Sequence, residues 1–108
     1  MSWLMIRDEK PLRHLLDKGF VYILRPHIKK SGVCQLKDGN YRTIGKVLVI
    51  YIGIIIDYEI VKTIGNRLIP LTNYLQHSGF NSINEWLKTC RYGSMLRLYY
   101  VELLEYYE

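Results

Sequence analysis

Between Lys46 and Asp57 lies an apolar run of ten residues, from Val47 to Ile56, broken only by Tyr51 and Gly53. It is about half as long as a helix that crosses a bilayer. The run therefore predicts a buried strand and not a membrane span. Gly45 and Gly53 stand where glycine permits a bulge. Residues 44–56 are thus expected as one long strand or a pair joined by a bend, the device by which a sheet curls into a barrel.

Other elements fall around that strand. Asp8, Glu9 and Pro11 precede Leu12, Leu15 and Leu16 in the order of a helix start: a capping oxygen, early acidic charge and a proline in the first turn. Gly19 closes that helix. Residues 20–24 form an apolar, β-branched and aromatic run ended by Pro26, which biases Arg25 towards an extended backbone. Ser31-Gly32 and Asp38-Gly39-Asn40 are turn sequences with a short strand candidate between them, Val33 to Leu36. Residues 58–64 supply a further strand.

Residues 68–75 recur at helical spacing and stop at Ser78-Gly79. Ser82 and Glu85 then have the spacing of a capping box, in which each side chain accepts from the other residue's amide. Ile83, Trp86, Leu87 and Cys90 make the apolar face of that helix, with Arg91 near its negative end and Gly93 terminating it. Residues 95–107 read as a final strand with a slip in phase near Tyr99 to Val101. A chain of 108 residues fits one domain, residues 1–108, and shows no internal repeat or linker.

Hydrophobic residues make up 49% of the chain, enough to build a core and to exclude a disordered polypeptide. The formal charge is +5, and it is local. Arg25, Lys29, Lys30, Lys37, Arg42 and Lys46 are opposed over their span by Asp38 alone, whereas Glu102, Glu105 and Glu108 make the tail acidic. Such a patch either attracts phosphates or is a solvated surface that keeps the chain soluble. Cys34 and Cys90 have no C-x-x-C partner, and His14, His27 and His77 are scattered singly, so no metal site or cofactor is expected. Free thiols in a reducing compartment are favoured. The start of the chain lacks the pattern of a secretory signal, so a cytoplasmic location is expected.

Gly19 and Arg25 in the stretch Gly19-Phe20-Val21-Tyr22-Ile23-Leu24-Arg25 match a G-x-K-x-x-x-R signature, with Val21 in the lysine position. Gly45-Lys46-Val47, Ser78-Gly79-Phe80-Asn81-Ser82 with Glu85 and Trp86, and Tyr92-Gly93 follow in order. Together these pieces resemble the ASCH domains of the PUA-like superfamily. The resemblance implies an α+β fold: a PUA-like β-barrel of five or six mostly antiparallel strands with two to three flanking helices. It also implies a cleft beside the first barrel strand and work on RNA, as binding, modification or hydrolysis. Hydrolytic members use the signature lysine, and valine has no ionisable group, so no catalytic residue is assigned and catalysis is disfavoured.

Binding asks less: cations that replace counterions along phosphates, and planar groups on which bases stack. Arg25, Lys29, Lys30, Arg42 and Lys46 are the candidate cationic wall, and Tyr22, Tyr41 and Tyr92 the candidate stacking faces. Arg25 leads, because its planar donor fork suits phosphate; the competing reading is an ion pair with Asp17 or another carboxylate. Glu85 is explained by capping, His27 by a solvated turn and Trp86 by the core. RNA or another nucleic acid is thus the expected partner, with no membrane. The alternatives are a hydrolase with an altered catalytic set, and an interaction module or homodimer using the tyrosine-rich C-terminal strand.

Overall fold

A computed structural model of the chain describes residues 2–57, 59–90 and 95–107. In order, these form β1 (Trp3–Met5), α1 (Glu9–Lys18), β2 (Phe20–Arg25), β3 (Gly32–Lys37), β4 (Thr43–Ile55), β5 (Ile60–Thr63), β6 (Leu68–Pro70), α2 (Thr72–Leu75), α3 (Ile83–Lys88) and β7 (Arg97–Tyr106).

The apolar run lies within β4, a single strand that organises the sheet. Along one edge β4 pairs antiparallel with β7 over nearly its whole length. Along the other it pairs with β3 in its first half and with β5 at its end. β2 extends the sheet beyond β7, β6 beyond β5, and β1 lies parallel to β3. The result is an α+β fold: a curled, mixed half-barrel of seven strands with three helices among the described residues. Its pairings are antiparallel except for β1 on β3.

The β4–β7 register shifts between Lys46 and Val47 and between Tyr51 and Gly53, which bends the long strand. At the second shift the backbone of β5 comes so close that a Cβ on Gly53 would meet the Lys62 carbonyl. Only glycine fits that approach.

Leu98 and Tyr99 are adjacent in β7 and both fully buried. Successive side chains of a strand point to opposite faces, so the sheet has a core on each side. Inside the curl, Tyr99 and Val101 pack with Val21, Ile23, Val47, Val49 and the N-terminal Leu4, Ile6 and Leu15. On the outer face, Leu98 and Leu24 pack with Leu71, Phe80, Ile83 and Trp86, which α2, α3 and their connection bring in. Each such side chain contributes about 1.5–3 kcal/mol of burial. Trp86 is therefore core, as its helical spacing implies. Cys34 is buried in the inner cluster and Cys90 packs against the outer one.

Local expectations hold at α1, where Asp8 accepts from the Lys10 amide at 3.0 Å and Gly19 takes the left-handed position past the end. They fail in three places. Residues 68–75 are not one helix: Leu68–Pro70 pairs with β5 across a tight turn and only one helical turn follows. Cross-strand pairing outweighs the local helical spacing there. The trio Trp3–Met5, for which no element was expected, is a strand. Finally, Ser82 Oγ accepts from the Glu85 amide at 3.1 Å, but Glu85 Oε1 accepts from Asn81 at 3.2 Å and pairs with Lys10 at 3.1 Å instead of reaching Ser82. Arg91, Tyr92 and Gly93, assigned to the end of α3, a stacking face and a helix stop, lie outside the described residues.

Candidate functional site

The half-barrel has a seam. β1 and β2 are its two flanks, and among the described residues no backbone ladder joins them. In β1 the even-numbered positions face β3: the Ser2 carbonyl accepts from Gln35 and the Ile6 amide donates to Lys37. The carbonyls of Trp3 and Met5 consequently face the seam, where unpaired acceptors are costly. Side chains meet them. Arg25 Nη2 donates to the Met5 carbonyl at 3.0 Å, and Lys29 Nζ donates to the Trp3 carbonyl at 2.6 Å. Two cations from β2 and the loop after it thus take the place of a missing strand pairing.

That loop is fixed from the inside. The buried Tyr99 hydroxyl donates to the His27 carbonyl at 3.1 Å and accepts from the Lys29 amide at 2.8 Å, while Arg97 donates to the Pro26 carbonyl at 2.8 Å. The peptide groups of residues 26–29 are therefore held although the segment belongs to no strand.

Beside the seam opens a cleft of about 690 Å³. Met5, Arg7 and Pro11 line one side, Tyr22, Arg25 and His27 another, and Phe80, Trp86 and Cys90 close the back. Its charge is mainly cationic. Asp8 is the one carboxylate on the lining, and its oxygen is engaged in capping α1. Arg25 gives a second bond to its neighbour's carbonyl, Leu24 O, at 3.0 Å, and burial pulls its guanidinium below the ordinary value. It makes no ion pair with Asp17 or another carboxylate among the described residues. The remainder of its donor fork is available to a ligand. Arg7 is exposed, and its one side-chain hydrogen bond among the described residues goes to the Met5 sulfur, at 3.6 Å.

No family model, curated protein or solved structure matches this chain.

The expected cationic wall is not assembled as one surface. Tyr22 and Arg25 share the cleft. The Tyr22 ring is flanked by Tyr74 at 4.9 Å and Tyr100 at 5.7 Å, so much of it is covered by other aromatics. Lys29 is committed to Trp3, and Lys30 is exposed on the loop. Arg42 pairs with Asp38 at 3.1 Å, and Lys46 with Glu105 at 3.9 Å. Both of these cations are thereby partly neutralised at the start of β4. Val21 is fully buried inside the curl, within the inner core cluster.

Arg7, Met5 and Pro11 were not anticipated as cleft residues. Their signal was the short apolar stretch Trp3-Leu4-Met5-Ile6 ending at Arg7-Asp8, which reads as an edge strand turning into a capped helix. For covalent chemistry the cleft offers Cys90, but burial pushes its thiol up, with Thr89 and Arg25 only partly offsetting this. A protonated thiol is a poor nucleophile. Among the described residues no three His, Cys, Asp or Glu side chains converge as a metal site needs, and no helix is long and apolar enough to cross a membrane.

Proposed function

We propose that this chain is a nucleic-acid-binding domain of the PUA-like kind, which receives phosphate-bearing single-stranded RNA at the seam cleft. The observation that carries the reading is the charge of that cleft: two guanidinium groups, Arg7 and Arg25, on its lining against one carboxylate, Asp8, which caps α1. Phosphate recognition favours an arginine whose fork is held in place yet retains free donors, and two carbonyls hold Arg25 in this way. The order of motifs that resembles the ASCH domains points the same way, and so does the position of the cleft beside β2. The buried Val21 in the signature lysine position favours binding over hydrolysis.

His27 lines the cleft, and the exposed Lys30 follows on the same loop, whereas Arg42 and Lys46 are not on the lining. The test is an electrophoretic mobility series with short single-stranded RNAs and DNAs at two salt concentrations, comparing the native chain with Arg7→Ala and Arg7→Ala/Lys30→Ala. Salt-sensitive retention that falls in both variants supports the cleft. Retention unchanged in the double variant assigns the contact elsewhere, and no retention at low salt sinks the nucleic-acid reading.

A second reading rests on a separate observation. Leu104, Tyr106 and Tyr107 at the end of the last strand are exposed by 44%, 51% and 42%, an apolar and aromatic cluster beside Glu105. Exposed tyrosines of this kind suit a protein contact. A concentration-dependent dimer lost on Tyr106→Ser/Tyr107→Ser substitution is its expected signature, and a monomer at every concentration counts against it.

A further inference from the structure

His14 on α1 and His77 in the connection after α2 face one another, Nε2 and Nδ1 being 3.2 Å apart. Their rings meet edge-on at 5.3 Å, and Phe20 of β2 lies against both, at 6.4 Å from His14 and 4.5 Å from His77. At that separation the two nitrogens share one proton: one ring donates and the other accepts. A single added proton leaves the bond intact, because the cationic ring still donates to the neutral one. A second places N–H against N–H, and the contact becomes repulsive.

This pair lies where the α2–α3 connection docks on the rest of the fold. The His77 carbonyl accepts from the Tyr22 amide at 2.8 Å, Gly79 abuts the Lys10 carbonyl, and Lys10 pairs with Glu85. The docked connection carries Phe80 and leads into α3 with Trp86, and these two residues form the back of the cleft facing Pro11 of α1. The position of one cleft wall is therefore coupled to the imidazole pair.

We infer that the His14–His77 pair is a proton-operated latch: it holds the α2–α3 connection on α1 while either ring is neutral, and it releases that wall of the cleft when both rings are protonated. The surroundings set the direction. On α1, Lys18 opposes a charge on His14 and Asp17 favours it, while Glu9, Lys10 and Arg13 ring the adjoining hollow. β2 presents the Phe20 ring to both imidazoles, and behind it stands Tyr100 of β7, bonded to Glu102. Glu85 of α3 is engaged by Lys10. Burial first, then His77 and Lys18, lower the His14 pKa beneath its ordinary 6.5. A base depressed in the folded state stabilises it fully above its unfolded value and ceases to do so as pH falls through the lowered one. Release is thus expected below pH 6.5.

The inference needs no nucleic acid, so its test is separate from that of the binding reading. Amide exchange of residues 77–82, corrected for intrinsic chemistry, is compared at about pH 7.5 and about pH 5 in the free protein. Protection of this segment should drop several-fold on acidification, while β4 and β7 stay protected. His77→Gln and His14→Gln should each remove the pH response, with protection of β4 and β7 reporting that the variant is folded. Equal protection at both pH values in the native chain, or a pH response retained in either folded variant, overturns the latch.

Discussion

The Arg25 guanidinium stands 3.0 Å from the Met5 carbonyl and joins two strands whose backbones never pair. A residue chosen from sequence as a ligand contact is thus also a piece of the half-barrel's framework. The two roles are compatible, because a fork held by two carbonyls is ordered before any ligand arrives, and ordering it then costs little on binding.

Replacing Arg25 by methionine keeps the packing of the stem but leaves the Met5 acceptor facing the seam alone. The expected cost is about 0.5–1.5 kcal/mol, the net worth of one hydrogen bond at this half-buried site, read as a lower urea midpoint. Lys29→Met, which loses the neighbouring bond to Trp3, should act in the same direction. Amides of Leu4 and Ile6 should then exchange faster in both variants. A midpoint unchanged in Arg25→Met would mean that β1 is held by β3 alone.

How much of this was legible beforehand follows from the kind of signal involved. The long strand could be read because ten apolar residues between two charges leave few alternatives, and the caps of α1 and α3 because Asp8 and Ser82 act on amides two and three residues away. Residues 68–75 misled because Leu68, Leu71 and Leu75 have helical spacing, whereas Leu68–Pro70 pairs across the preceding turn with Ile60, Val61 and Lys62, a contact that this spacing does not reveal. The role of Lys29 was hidden for a similar reason. A cation on a polar loop looks solvated until the seam shows that the Trp3 carbonyl has no strand partner. The neutralisation of Lys46 by Glu105 likewise depends on β4 lying beside β7, a pairing that no local pattern specifies.

That neutralisation has a consequence for binding. Arg42 and Lys46 each face a carboxylate at the surface, a pairing worth little to stability, and neither is on the cleft lining. Arg42→Ala and Lys46→Ala should therefore change RNA affinity by less than about twofold, whereas removal of a phosphate-contacting cation such as Arg7 lowers it by several-fold and reduces the salt slope by about 1. Titrations at three salt concentrations separate the two classes. Equal slopes in all variants would return the site to the start of β4.

The Asp38 carboxylate should shape the acid limb of stability. Partial desolvation works against its charge, but the Arg42 and Asn40 amides and the Arg42 guanidinium outweigh this and hold its pKa below the ordinary 3.8. A depressed acid stabilises the fold fully above its unfolded value, and that contribution disappears as pH falls through the folded value. Urea midpoints of the native chain should thus decline below 3.8, with Asp38→Asn showing a shallower decline from a lower starting point. An identical acid slope in the variant would show that the Asp38 turn contributes nothing to it.

Gly79 and Gly19 have nearly the same left-handed backbone, with φ of +87° and +89°, and provide a controlled comparison of strain with steric exclusion. At Gly19 an added methyl meets nothing within 4 Å, so Gly19→Ala carries the conformational penalty alone, about 1–2 kcal/mol. At Gly79 the same methyl would sit 2.5 Å from the Lys10 carbonyl and 2.8 Å from the Pro11 nitrogen, backbone atoms that cannot turn aside. Gly79→Ala must therefore also push the α2–α3 connection away from α1, and it should destabilise by clearly more than Gly19→Ala. It should in addition raise Trp86 exposure in a Trp3→Phe background, where Trp86 is the only remaining tryptophan, whereas Gly19→Ala should leave that signal unchanged. Equal losses in the two variants would mean that the connection yields without cost, and the tight docking of Gly79 on α1 would then contribute nothing to the wall of the cleft.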